Sequence, residues 1–399
     1  MPGVEAVASI LFVIGTNGFA TLIPMLIEHS TAATLTVDLG AIVQNWRLLG
    51  AQAGSSHPSA AVCAAVVKAD AYGLGVAEVG PALYEAGCRD FFVALVAEGA
   101  QLRTLIPRDA TVYVLHGPQP GAEIDCAQHA LIPVLNSPDQ LQRWSSLANT
   151  RGEHLPAALQ VDTGMRRLGF EARDFEALDG DSFTLATLGG IKPVLLMSHL
   201  VSAEDPANPI NRIQLEQFEI ARKRWPGLRC SLANSSGIFL GRGWHFDLLR
   251  PGAALYGVAP VTNKPNPMRP VIRLQAPIIQ IREIAPGDGV GYNHTWCAGR
   301  PTRIATLSVG YADGYLRSLS NRATVRFMGQ PAPLIGRVSM DTVTIDVTEL
   351  PENAMIPGAQ FDLIDSVHDI NQVAIDAGTN AYEILTSLGP RYRRRYLAP

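Results

Sequence analysis

The stretch Val67 to Gly75, V-K-A-D-A-Y-G-L-G, sets Lys68 directly behind the apolar run Ala60 to Val67. A lysine that emerges where a buried strand stops sits in a dry environment, and desolvation lowers its pKa toward a neutral amine. Such an amine can form a Schiff base with a carbonyl. An isolated strand-end lysine more often runs its aliphatic stem out to water, so the chemistry is judged from what accompanies it. Asp70, Tyr72, Gly73 and Gly75 suit a tight loop with polar groups close to a ligand.

The elements that would position Lys68 follow from the hydrophobic pattern. From Thr34 onward, short β-rich runs alternate with amphipathic helical segments, which predicts a parallel α/β architecture. Eight runs are expected as strands: Ala60 to Val67, Asp90 to Leu95, Thr111 to Leu115, Leu131 to Leu135, Ala157 to Val161, Val194 to His199, Leu228 to Ala233 and Phe246 to Leu249. Eight strands with intervening helices predict a (β/α)8 barrel of the TIM type over 34–263. Beyond Gly257 the texture changes to proline-rich spacers and alternating strands: Val271 to Ile281, Thr302 to Val309, Ala323 to Phe327, Thr342 to Asp346 and Gln360 to Ile364. A mainly β C-terminal domain is expected over 264–399, closed by short helices near Asn371 to Ala377 and Ala381 to Leu388. The strand Thr34 to Asp38 precedes the barrel and is a candidate to join that β domain, because chain termini often meet.

In such barrels chemistry sits on the loops behind the strands' C-terminal ends. Polar residues recur there: Lys68 and Tyr72, then Asp162 to Arg167, His199, Asn234 with Ser235, and Arg250. Each has a plainer reading. His199 suits a hydrogen-bonded core histidine, Arg167 a partner of Asp162 pinning its loop, Arg250 a strand-end cap, and Ser235 and Gly252 ordinary turn residues. Together they meet the needs of pyridoxal phosphate, which requires a lysine, a phosphate cradle and a partner for its ring nitrogen. Asn234 to Gly237 and Pro251-Gly252 offer hydroxyls and open backbone N–H groups where barrels bind phosphate. If Arg250 faces the ring nitrogen, it can only donate, so that nitrogen stays unprotonated and the ring is a weak electron sink, which suits racemisation. Racemisation also needs an acid/base on the second face. Tyr292, in G-V-G-Y-N-H-T-W, is the candidate, with an aromatic packed at a domain interface as the alternative.

The motifs V-K-A-D-A-Y-G-L-G, V-D-T-G-M-R-R-L-G, S-H-L, A-N-S-S-G, R-P-G-A-A-L-Y-G, G-V-G-Y-N-H-T-W, V-G-Y-A-D-G and G-R-V-S-M-D resemble those of alanine racemases, in that family's order, from about residue 34 to the end. The resemblance implies pyridoxal phosphate, a head-to-tail homodimer, and interconversion of L- and D-alanine, a route to D-alanine. It implies that Lys68 holds the cofactor and serves the D-enantiomer's α-proton, while Tyr292 reaches the partner subunit's site and serves the L-enantiomer's. Arg250 would meet the pyridine nitrogen, Arg167 the ring hydroxyl or substrate carboxylate, and His199 would link Arg250 to Tyr292. Tyr72, Ser235 and Gly252 would hold phosphate, with Asn234 beside them. Tyr311 and Met340 would line the entrance and keep the substrate pocket small. Two departures stand out. Gln160 occupies the position where many members carry a carbamate-modified lysine, so its amide oxygen or another group must orient Arg167. The phosphate-binding C-terminal tyrosine is absent from its expected place, leaving Tyr392 as a candidate substitute.

Rival readings remain. A barrel-type pyridoxal-phosphate decarboxylase shares the plan but resembles a carboxylate-on-nitrogen solution, against which Arg250 argues. A non-catalytic cofactor carrier resembles a lone barrel, and a broader-specificity amino-acid racemase would share every motif.

The bulk numbers agree with two domains and a small-molecule substrate. The chain has 399 residues, 47% hydrophobic and 17% charged, with a net charge of −4, which gives no footprint for nucleic acid. Cys63, Cys88, Cys126, Cys230 and Cys297 form no C-x-x-C pair, so neither a metal site nor a disulfide framework is expected, and a reducing cytoplasm fits. Residues 1–33 carry two apolar runs, broken at Gly15 to Gly18 and too short to span a bilayer, so no membrane anchoring is expected. They read as an appended or mis-started segment with Met25 as a candidate start, and a cleaved signal is the alternative.

Overall fold

Beginning at Ala33, the chain enters β1 (Thr34–Asp38) and turns into α1 (Leu39–Gln52), whose first turn is capped by Asp38 Oδ1 accepting the Ala41 N–H at 2.8 Å. The computed structural model describes residues 33–54, 61–178 and 189–399. The expected N-terminal segment up to residue 32, Met25 included, and Ala60 at the start of the first barrel strand lie outside the described residues.

The first barrel strand runs in two pieces, β2 (Val62–Cys63) and β3 (Ala65–Val66), and feeds α2 (Lys68–Gly73) and α3 (Val76–Glu85). The alternation continues with β4 (Asp90–Val93), α4 (Val96–Arg103), β5 (Thr111–Val114), α5 (Glu123–Gln128), β6 (Ile132–Leu135), α6 (Pro138–Arg151) and β7 (Leu155–Gln160). It ends with α7 (Ala172–Glu176), β8 (Ile191–Met197), α8 (Pro209–Lys223), β9 (Cys230–Ser231) and β10 (Leu248–Leu249). From β3 to β9 the strands form one parallel sheet in sequence order. The ring closes because β10 pairs with β2, Leu248 opposite Val62, and joins β9 through Asp247 N–H to Cys230 O at 3.0 Å and Arg250 N–H to Ala233 O at 2.9 Å. All eight expected strands are present, with shifted ends. Local chemistry explains the helices: Ser137 and Asn208 cap α6 and α8 ahead of Pro138 and Pro209, and Gly152 ends α6 with φ of 63°.

The β domain contains β11 (Ile272–Ile284), β12 (Gly289–Val290), β13 (Trp296–Cys297), β14 (Thr302–Leu307), β15 (Thr324–Phe327), β16 (Gln330–Ile335), β17 (Val343–Asp346), β18 (Gln360–Ile364) and β19 (Arg393–Leu397), with α9 (Ile370–Ala377) and α10 (Ala381–Ser387) before the last strand. Its eight-stranded sheet runs β14-β17-β16-β15-β18-β11-β1-β19, and β14 also pairs with β11. β1 lies antiparallel to β11 and parallel to β19. Two of these strands escape the sequence reading. Pro331 and Pro333 hide β16, yet both lie opposite β15, at Arg326 and Thr324. R-R-R-Y-L has no apolar alternation to mark a strand, yet pairs along its whole length with β1.

One apolar core continues from barrel to β domain. Asn45, fully buried on α1, fastens the junction: its Nδ2 donates to Leu255 O (3.1 Å) and Arg269 O (3.0 Å), and its Oδ1 accepts the Arg269 N–H (2.8 Å). Asn45→Ala would strand three backbone groups, the Leu255 carbonyl buried and the two of Arg269 part-buried, so we expect a loss of about 2–3 kcal/mol. Urea unfolding should give a lower midpoint with an unchanged slope. An unchanged midpoint would mean that those groups find other partners.

Candidate active site

Lys68 opens a left-handed turn. Ala69, Asp70, Ala71 and Tyr72 all have φ between 52 and 56° and ψ between 37 and 52°. Left-handed backbone in four successive non-glycine residues is strained, at roughly 1–2 kcal/mol each. Bonds from several directions hold it. Ala71 N–H donates to Val67 O at 3.0 Å, Gly75 N–H to Asp70 O at 2.9 Å, and Val76 N–H to Asp70 Oδ1 at 2.7 Å. Glu98 on α4, unnoticed in the sequence, accepts Ala69 N–H through Oε1 at 2.8 Å and Ala94 N–H through Oε2 at 2.7 Å. Burial lowers the Lys68 pKa, as expected of a strand-end lysine; Arg167 acts in the same direction and Glu98 opposes them.

The turn buries Tyr72, whose ring lies 4.8 Å from that of Tyr256, and the Tyr256 hydroxyl in turn donates to Val66 O at 3.0 Å. Burial raises the Tyr72 pKa, so the phenol keeps its proton. Gly252 lies so close that any Cβ there would overlap the Tyr72 hydroxyl. Ser235 Oγ accepts N–H groups from Gly252 (3.0 Å) and Ala254 (3.2 Å), so the loops behind β9 and β10 are stitched together. The expected open N–H of Gly252 is thus engaged by Ser235, and what converges on Gly252 is a pair of hydroxyls. Asn234 Oδ1 accepts the Gly237 N–H at 2.9 Å and caps the turn behind β9.

Arg250 is 4% exposed and donates to Ser231 Oγ and, at 2.6 Å, to Ser198 O. Burial brings its pKa down to about 9, so it remains cationic at neutral pH. His199 lies within the electrostatic reach of Arg250, Arg167 and Lys68; burial and these three cations, in that order, depress it to about 3. It is therefore a neutral imidazole, and Arg250 is the cation of the pair. Gln214, fully buried and missed in the sequence, holds the His199 loop: it donates to His199 O (2.9 Å) and Thr163 Oγ1 (3.2 Å) and accepts the Val201 N–H (2.9 Å).

Arg167 is exposed on the loop behind β7. Asp162 does not pair with it; its carboxylate accepts the Gly164 and Arg166 N–H groups at 2.8 and 2.9 Å. Gln160 acts on this loop through its nitrogen, since Nε2 donates to Leu168 O at 3.0 Å. The loop is thus fixed at its backbone, one residue beyond Arg167, where the sequence suggested an amide oxygen on the guanidinium. Tyr392, the candidate substitute, lies away from the surface. It is 5% exposed in the β-domain core beside Asp313 and Tyr315, and their charges add to burial in raising its pKa. Tyr382 on α10 adds to burial in raising the Tyr72 pKa.

The remaining candidates form a second set on the β domain. Tyr292, Tyr311 and Met340 are 65, 42 and 53% exposed. Tyr311 and Met340 share one junction, with Tyr311 N–H on Ser339 O and Ala312 N–H on Met340 O, both 3.0 Å. Arg391 secures it by donating to Asp313 (2.6 and 2.9 Å) and Asp341 (2.7 Å). Among the described residues no hydrogen bond or ion pair joins this set to the barrel set. The described residues contain no cluster of His, Cys, Asp and Glu that could hold a metal.

Comparison with known proteins agrees with this arrangement. Residues 37–260 match the family model described as alanine racemase, N-terminal domain, and 271–396 the alanine racemase, C-terminal domain. The chain is 51% identical over 369 residues to the alanine racemase of Rhodospirillum rubrum, covering 92% of this chain and 97% of that one. It is 46% identical to a catabolic alanine racemase of Mesorhizobium japonicum, covering 93% and 94%. Among solved structures, the Bartonella henselae alanine racemase with covalently bound pyridoxal phosphate superposes with a TM-score of 0.86 at 40% identity, covering 92% of this chain and 99% of that one. The biosynthetic enzyme of Pseudomonas aeruginosa gives 0.83 at 34%, over 92% and 99%. With both family models matched in order and nearly the whole chain covered, this protein belongs to the alanine racemase family.

Proposed function

We propose that this protein racemises alanine with pyridoxal phosphate as cofactor and that Lys68 holds that cofactor. The observation that carries the reading is a lysine of lowered pKa behind the first barrel strand, with a buried, cationic arginine at the end of the strand paired to it, β10. The residues present fit the cofactor: Lys68 supplies an amine that can be neutral, Gly252 leaves room that a Cβ would fill, and the Tyr72 and Ser235 hydroxyls converge beside it. When bound, pyridoxal phosphate joins an amine covalently and withdraws electrons, so that an α-proton becomes removable.

Arg250 stays charged and can only donate, so a ring nitrogen facing it is kept an acceptor and unprotonated. That limits electron withdrawal and favours return of a proton to the same carbon. Lys68 holds or takes the proton on one face. A second group must serve the other, and Tyr292, exposed in its own protomer, suits that role in a homodimer where it reaches the partner's site. Tyr311 and Met340 would narrow the same entrance, and Arg167 would meet the substrate carboxylate. Among the described residues Arg250 donates only to neutral groups, Ser198 O and Ser231 Oγ, so it stays free to face the ring nitrogen as a donor, which favours racemisation over decarboxylation. No helix among the described residues is long and apolar enough to cross a membrane. All five cysteines are free thiols, four of them buried, which supports a reducing, cytoplasmic setting.

Purified protein supplied with the cofactor should convert L-alanine to D-alanine faster than any other member of a panel of L-amino acids. Lys68→Ala should remove the visible absorbance of the covalently held cofactor, and a retained band would take Lys68 out of its role. Tyr292→Phe should keep the band yet lower racemisation by about 10²–10⁴-fold, the usual contribution of a positioned acid/base. Unchanged turnover in that variant would defeat the two-face scheme.

A further inference from the structure

We propose that Arg394 and Tyr396, on the last strand of the chain, are positioning residues that hold the Lys68 turn from outside the barrel. The proposal rests on Lys68 being the amine that holds the cofactor. Left-handed backbone at Ala69 to Tyr72 persists only where the surroundings over-determine it. Glu98 and Asp70 secure the start and middle of the turn. Its far end has two carbonyls, Gly73 O and Leu74 O, and β19 takes both: Arg394 Nη1 donates to Gly73 O at 2.6 Å, and Tyr396 Oη to Leu74 O at 3.1 Å. The second guanidinium nitrogen of Arg394 donates to Leu388 O at 3.3 Å and Gly389 O at 3.5 Å, just past α10, so one side chain ties the turn to the end of that helix.

The glycines of the motif fit this clamp. Gly73 has φ of 82° and a Cβ there would strike the Leu385 carbonyl of α10, while Gly75 has φ of 97° and a Cβ there would overlap the Tyr396 hydroxyl. The strand that carries the clamp is itself fixed, pairing with β1 from Thr34 opposite Arg393 to Asp38 opposite Leu397. Burial raises the Tyr396 pKa, and a guanidinium keeps its charge, so both donors persist across the working pH range. Loosening the far end would let Lys68 swing toward water, where its pKa returns toward that of an ordinary lysine.

The test uses the full chain without cofactor, so it does not depend on turnover. Tyr396→Phe removes one oxygen and keeps the ring. Hydrogen exchange at the amides of Leu74, Gly75 and Val76, which bond to Ala71 O, Asp70 O and Asp70 Oδ1, should quicken about fivefold, as for one neutral hydrogen bond. Arg394→Ala should quicken it tenfold or more, as for a bond from a charged donor, and Arg394→Lys should restore part of the loss. Amides of β4 to β6 should exchange as in the parent. The pH midpoint for acylation of Lys68, followed by mass spectrometry, should rise in both weakened variants. Unchanged exchange at 74–76, or acceleration spread evenly over the barrel, would overturn the proposal, and if Arg394→Ala fails to fold, Tyr396→Phe alone decides. Either failure would leave the racemase reading standing, because that reading is tested separately by the absorbance of Lys68→Ala.

Discussion

The reversed turn behind Val67 is the constraint on which the rest of the structure depends. Four successive residues in the left-handed region amount to roughly 4–8 kcal/mol of strain, comparable with the whole stability of a typical domain. The chain offsets this with bonds drawn from three directions: the Asp70 side chain within the turn, Glu98 from the next βα unit, and Arg394 and Tyr396 from the last strand. The result fixes the backbone on both sides of Lys68 while Tyr72 is driven into the core against Tyr256.

A second feature is the concentration of positive and donor groups at the same end of the barrel. Arg250 is buried with only neutral acceptors, and Lys68 and His199 are both held below their ordinary pKa values by burial and by neighbouring cations. Such a wall favours neutral amine and imidazole forms and awaits an anion. The six residues from Arg391 to Tyr396 touch both candidate sets, since Arg391 bonds Asp313 and Asp341 beside Tyr311 and Met340, while Arg394 and Tyr396 bond the lysine turn.

Much of this was legible from the order of residues. Runs such as F-F-V, buried throughout within β4, mark parallel strands without ambiguity of face, and the eight of them predicted the barrel. Lys68 was found because desolvation at a strand end is a local property. The failures are equally physical. Pro331 and Pro333 concealed β16, and the arginines of β19 masked that strand, because strand identity there comes from partners distant in sequence. Tyr392 carried no local sign that it is buried, because which phenol faces the core is set by how distant segments pack.

The sequence by itself determined the two-domain plan, the family, and the identity of the groups able to do chemistry, because these rest on hydrophobic period and on the intrinsic reactivity of side chains in short motifs. Only the tertiary structure decided the left-handed course of Ala69 to Tyr72, the engagement of Gly252 by Ser235, and the use of Gln160 through its nitrogen. Each of these turns on hydrogen bonds, and on which backbone groups a neighbouring segment leaves unpaired. That is settled when distant stretches meet, and no local run of residues encodes it.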